Sequence, residues 1–268
     1  MNVPPVRSVE VPTRDAEAAE RDPMAARLEG DRLFDSGEFA AAEVVFERLL
    51  ENGDGLNWCY FQLGRIAARQ ARWEEAIAKF DKALGCEEPI VWAHFEKALA
   101  LRQCSPDKSA WIAELVGFVR LEPNGLPEAH YPVLLQAAHE AFDARAYQDA
   151  LSLYEFVGTS GYGRYICKLR CADIHLLSGD AEAALRILDE ASGDSEDQIW
   201  GDLTRARALL ALGRFDEEAA LSKTLAARAP DNADIMHVLL TALEGAGEEA
   251  ELAFFEQEAG EIIRRPSA

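Results

Sequence analysis

At 268 residues, with 49% apolar and 28% charged side chains, the chain could fill two average domains or one extended array, and its composition is that of a folded protein. Twenty-seven Lys and Arg against 48 Asp and Glu leave a net charge of -21, which repels phosphate backbones and anionic lipid surfaces and excludes nucleic acid as an expected partner. No run approaches the ~20 apolar residues of a membrane span, and five cysteines without a Cys-x-x-Cys pair read as reduced thiols, so no membrane insertion and a cytoplasmic location are expected.

In chain order, residues 1–22 carry three prolines and few large apolar side chains, and they read as a flexible N-terminal tail. From residue 23 onward apolar and small residues recur at spacings of three and four. Gly, Pro, Asn and Asp interrupt them every dozen or so residues, and nothing alternates as a strand would, so the expected class is all-α.

The segment from Trp58 to Leu84 sets Leu63, Gly64, Ala67, Trp73, Ala76, Phe80 and Ala83 at fixed offsets. It resembles the tetratricopeptide repeat, in which 34-residue units pair two antiparallel helices, with small residues at positions 8 and 20 and an aromatic at 24. With Gly64 at position 8, units start at Pro23, Asn57, Val91, Tyr131, Tyr165, Ile199 and Ala233. Every interval is 34 residues except one of 40 between the third and fourth starts. Gly30, Ala42 and Phe46 repeat the pattern upstream; Ala138, Ala150 and Tyr154 repeat it downstream. The sixth unit departs, with Glu218 where the second small residue belongs. The resemblance implies seven repeats stacked in a right-handed superhelical solenoid, of a bacterial style of composition. The six extra residues fall in the Pro- and Gly-rich stretch Leu121 to Pro132, which divides the repeats into 23–124 and 125–268, the latter ending in a capping helix.

Catalytic signatures are missing, and no enzyme, cofactor or metal is expected. Gly158 to Gly163 (GTSGYG) lacks the spacing of a phosphate loop. His139 to Asp143 (HEAFD) offers one imidazole where a zinc-protease helix needs two, and Cys167, Cys171 and His175, four residues apart on one helix stripe, read as core packing with no fourth ligand in view. The glutamates at the starts of second helices, Glu74 and Glu75, Glu217 and Glu218, Glu248 and Glu249, suit the helix dipole.

At about 100° per residue, positions 4, 7, 8 and 11 of a first helix form one arc, the core, and positions 2, 5, 9 and 12 another. In the family that second arc lines the concave surface where peptides bind. Here it holds Trp58, Phe61 and Arg65 in the second repeat, Trp92, Phe95 and Arg102 in the third, His139 and Phe142 in the fourth, and Trp200 and Arg207 in the sixth. Aromatic and cationic groups together are the residue types that anchor interfaces, and arginines reverse the local sign of an acidic protein. The alternative for these residues is packing under neighbouring repeats. The modules of this family that clamp acidic chaperone tails carry Lys at 5 and Asn at 9 of their first unit, whereas Arg27 and Asp31 stand here. The expected function is a protein-interaction scaffold that binds an apolar, acid-containing segment of another protein. A recruiting module of a glycosyl- or sulfotransferase and a self-assembling subunit are the alternatives. On the last helix Phe254, Phe255, Ile262 and Ile263 spread apolar surface over more than one side, which points to a homodimer or a following domain at that end.

Overall fold

A computed structural model of the chain describes residues 22–122, 125–191 and 198–264. Internal contacts divide the chain into two compact units, residues 1–123 and 124–268. The N-terminal unit holds α1 (Pro23–Asp35), α2 (Phe39–Glu51), α3 (Leu56–Arg69), α4 (Trp73–Leu84), α5 (Trp92–Cys104) and α6 (Lys108–Leu121). The C-terminal unit begins with a 3-10 turn, Glu128–His130, followed by α7 (Tyr131–Asp143), α8 (Tyr147–Thr159), α9 (Arg164–Leu177) and α10 (Ala181–Ala191). It continues with α11 (Ile199–Ala211), α12 (Phe215–Arg228), α13 (Ala233–Ala246) and α14 (Glu249–Arg264). There is no strand among the described residues. The first helices of the seven repeats thus begin within one residue of the starts that the sequence frame gives.

Within a repeat the chain reverses in about three residues, and the reversal has one recurring device. Position 15 of the frame adopts a left-handed conformation in six repeats: Gly37, Gly179, Gly213 and Gly247 hold it as glycine, but Ala71 (φ 58) and Arg145 (φ 61) hold it with a side chain. The amide one residue later then donates back into the helix, as Arg72 N does to Ala67 O at 2.9 Å and Ala146 N to Ala141 O at 2.9 Å. In the third repeat Pro106 follows Ser105, which is extended (φ -101, ψ 130), because proline disfavours a helical residue before it. Polar caps start several helices: Asp22 accepts from Met24 N at 3.0 Å, Asp107 from Ser109 N at 2.9 Å, and Asn232 from Asp234 N at 3.0 Å.

In the first, second and fourth repeats the two helices meet at a ring laid on a small residue. A Cβ on Gly30 would come within 2.7 Å of the Phe46 ring, and one on Gly64 within 2.6 Å of Phe80. Both rings are fully buried. In the fourth repeat Tyr154 takes the same place and is fully buried, as is Ala138. The third repeat has Glu114 at the ring position, held by His94 Nδ1 at 2.7 Å and Lys97 Nζ at 2.6 Å; Lys97 also reaches Asp81 at 2.6 Å. Burial works against the Glu114 carboxylate, but His94 and Lys97 keep it below the usual range.

Two expectations are corrected. Glu218 does not decorate the exposed start of α12: it is fully buried, because its position faces the core where other repeats have a small residue. On α14, Phe255 packs against the core of the last repeats, and the side chains of Ile262 and Ile263 lie outside the described residues, so the apolar surface described there is Phe254, 59% exposed.

A left-handed residue with a side chain costs on the order of 1 kcal/mol relative to glycine. Ala71→Gly is therefore expected to stabilise the N-terminal unit by about 0.5–1 kcal/mol, while Gly64→Ala destabilises it by about 1–3 kcal/mol through the clash with Phe80. Urea unfolding of the two variants checks both signs; a destabilising Ala71→Gly would contradict this account of the turn.

Candidate functional site

In the N-terminal unit the residues of the expected groove bind one another. Trp58 Nε1 donates to Asp31 Oδ1 at 3.1 Å, Gln62 Nε2 donates to the same oxygen at 2.6 Å, and the Arg27 guanidinium lies 4.1 Å from the Trp58 ring centre. Arg65 sits 4.3 Å from the centre of Phe34, donates to Gln62 Oε1 at 3.0 Å and stands 3.9 Å from Glu96. Arg102 is exposed, 5.5 Å from the Trp111 ring. Trp92 is half-buried against Phe95 and Phe118.

Phe61 and Phe95, expected on the surface arc, are buried at 7% and 2% exposure. The physical reason is a neighbouring helix, that of the next repeat for Phe61 and the second helix of its own repeat for Phe95. Phe61 belongs to a core cluster with Phe80 and with Ala93 and Ala100 of α5, so the next first helix covers it. Phe95 is enclosed by Trp92 and Phe118, with ring centres 5.8 and 5.4 Å away. An arc drawn on one helix leaves out this layer, and both rings back the surface instead of forming it.

His139 is likewise occupied inside its repeat: Nδ1 meets the Tyr154 hydroxyl at 2.7 Å, the partner a buried phenol needs. Burial and then the charge of Arg170 lower the His139 pKa, while burial raises that of Tyr154. Phe142 is half-buried beneath Arg170, 5.2 Å from ring centre to guanidinium. Cys167 and Cys171 are buried, and desolvation pushes their thiols up to about 11 and about 12, so they are protonated and unreactive at neutral pH. Among the described residues no three His, Cys, Asp or Glu side chains come together as metal ligands.

An open site lies in the C-terminal unit, between the first helices of the fifth and sixth repeats. A cavity of about 390 Å³ is lined by Ile166, Leu169, Arg170 and Asp173 of α9 and by Trp200, Leu203, Thr204 and Arg207 of α11. These are positions 2, 5, 6 and 9 of each repeat. Trp200 is 57% exposed. Leu203 and Leu169 form an apolar floor. Asp173 accepts from Thr204 Oγ1 at 2.9 Å and from Arg170 Nη1 at 3.2 Å; burial nevertheless raises its pKa above the usual aspartate value, against the pull of Thr204, Arg170 and Arg207. Arg207 pairs at 3.3 Å with Asp234, and both side chains are largely open to water. Trp200 and Arg207 were legible in the sequence. Ile166, Leu169 and Asp173 were missed, although the same surface arc applied to the fifth repeat picks them out.

No family model matches the chain, and no curated protein matches it. Among solved structures it is similar to YrrB, a TPR protein with an unusual peptide-binding site, at 18% identity over 72% of this chain and 97% of that one, with a TM-score of 0.47. It is also similar to a chain of Naa15/Naa10 bound to HypK-THB, at 19% identity and TM-score 0.49 over 94% of this chain, spanning only 38% of the matched one. A third is the P58(IPK) TPR domain, at 19% identity and TM-score 0.41 over 87% of this chain and 67% of that one. What decides the fold is internal: among the described residues seven helix pairs stand in register with the repeat frame, three of them closed by an aromatic ring on a small residue. The chain has the tetratricopeptide-repeat fold. In tetratricopeptide terms the cavity lies on the first-helix layer, where α9, α11 and α13 are successive neighbours.

Thr204→Val should push the Asp173 carboxyl still higher, because it removes a hydrogen bond that favours the charged form. Carbon-13 NMR titration of the aspartates reads this directly, and an unchanged or lowered Asp173 would contradict the described bond.

Proposed function

We propose that the chain is a non-enzymatic binding scaffold whose principal contact is the α9–α11 cavity, and that its ligand is an extended segment of another protein with an apolar side chain next to a carboxylate. The observation that carries this reading is the exposed Trp200 beside Arg170 and Arg207 over an apolar floor. A tryptophan left open to water on a concave, arginine-flanked surface has the character of an interface anchor. The Arg207–Asp234 pair is solvent-exposed and so contributes little by itself; a ligand carboxylate can replace Asp234 with small loss. In a chain of net charge -21, Arg207, whose partner Asp234 is exposed and replaceable, supplies local attraction for an acid that the rest of the surface repels. Trp58 and Trp92 offer an apolar strip in the N-terminal unit, where Arg27 lies over the Trp58 ring and Arg65 over Phe34.

Panning a random peptide library against the immobilised chain tests the reading. Recovered sequences should pair an aromatic or aliphatic residue with Asp or Glu. Trp200→Ala should weaken them by about 2 kcal/mol, roughly thirtyfold in Kd. Arg207→Glu should chiefly slow association and reduce its salt dependence, while Glu75→Lys leaves binding unchanged. Recovered peptides that hold Trp200→Ala as tightly as wild type would remove the cavity from the function.

A further inference from the structure

The sixth repeat closes in a way the others do not. Where the frame places a small residue and an aromatic ring on the second helix, α12 carries Glu218 and Ser222. Both are fully buried, and the Ser222 hydroxyl donates to Glu218 Oε1. Glu218 Oε2 is buried with no hydrogen-bond partner among the described residues. Beside this pair lies the apolar core of the last two repeats, with Leu203 and Ala206 of α11, Ala219 and Leu225 of α12, and Ile235 and Leu239 of α13. The third repeat half-buries a glutamate, Glu114, one turn further along its second helix and supplies His94 and Lys97 to it; the sixth supplies one hydroxyl to Glu218.

Counter-charges are engaged elsewhere. The helices packed against α12 are α11 and α13. From α11, Arg205 pairs with Asp189, Arg207 with Asp234, and Asp202 with Arg228. From α13, His237 and Glu244 are exposed and Asp234 is taken by Arg207. On α12 and the residue before it, Asp216 is exposed, Arg214 pairs with Glu217, and Lys223 pairs with Glu248 and Glu251.

We propose that Glu218 is a proton-responsive packing element: α11 and α12 close fully on its neutral carboxyl and loosen when it ionises, so that the cavity-bearing helix α11 is held according to pH. An ionised carboxylate here would bring a charge into an apolar core with one hydrogen bond and no cation, which is far more costly than burying the acid. In agreement, desolvation raises the Glu218 pKa from 4.5 to about 7, with Ser222 the sole opposing influence. Because the folded state holds the proton more tightly than the unfolded state does, this contribution is complete below about pH 4.5. It declines as pH rises and is lost through about pH 7. Leu203 links the two regions, since it belongs to this core and also floors the cavity. Any consequence for ligand binding rests on the proposed function; the packing response itself is measured without a ligand.

Hydrogen-exchange mass spectrometry on the whole chain, corrected for intrinsic rates, at about pH 5.5 and about pH 8 tests the proposal. Wild type should lose protection across 199–228 at the higher pH. Glu218→Gln, permanently neutral, should keep it and melt several degrees above wild type there. Glu218→Ala, which restores the small residue of the frame, should also abolish the pH response. Ser222→Ala, which withdraws the hydrogen bond that lowers the pKa, should move the wild-type loss to higher pH, a readout independent of how the Glu218 variants fold. Trp200→Ala should retain the pH response while losing the selected peptides, which separates this element from the binding reading. Equal pH dependence of exchange in wild type and Glu218→Gln, or a Ser222→Ala transition at unchanged pH, would overturn the proposal.

Discussion

In the first, second and fourth repeats the closure of the helix pair rests on a contact of two kinds of residue: one with almost no side chain on the first helix and one with a large ring on the second. Phe80 on Gly64 and Phe46 on Gly30 allow the axes to approach until the ring fills the space a Cβ would have taken. Everything else in a repeat is arranged around that contact. The tight reversal at position 15 delivers the second helix antiparallel to the first, and the next repeat covers what the pair leaves exposed. Where the ring is replaced, the replacement reveals the constraint. Glu114 at the ring position is held by His94 and Lys97, and in the sixth repeat Ser222 at the ring position donates to the buried Glu218.

That constraint also explains why the first-helix layer differs between the two units. In the N-terminal unit arginines lie over Phe34, Trp58 and Trp111, so cation–π contacts and the Asp31 hydrogen bonds consume the groups that a ligand would use. In the C-terminal unit small and medium side chains, Ile166, Thr204 and Asp173, leave a cavity that no ring fills, and Trp200 stands at its edge. The same backbone frame thus gives one face that is closed on itself and one that is open.

Legibility in the sequence followed the range of the interactions. Helix starts and the class of fold depend on spacing within one repeat, and the starts at 23, 131, 199 and 233 coincide with the frame while the others lie one residue from it. Trp200 and Arg207 were found by the same means. Phe61 and Phe95 were placed wrongly because their burial is caused by the neighbouring helices, which an arc drawn on one helix cannot represent. Glu218 was noticed as a departure from the pattern, but its proximity to helix-dipole glutamates hid the fact that it faces inward. The surface arc of one helix includes His139, whereas the Tyr154 hydroxyl that occupies it lies 15 residues away on the second helix.

The account stands or falls on which surface a ligand chooses. A crystal structure of the chain with a library-selected peptide decides this most directly. The account predicts an extended peptide across α9 and α11, with an apolar side chain against Trp200 and a carboxylate at Arg207. A peptide seated on the second helices, or on the face of the N-terminal unit with the cavity empty, would contradict it.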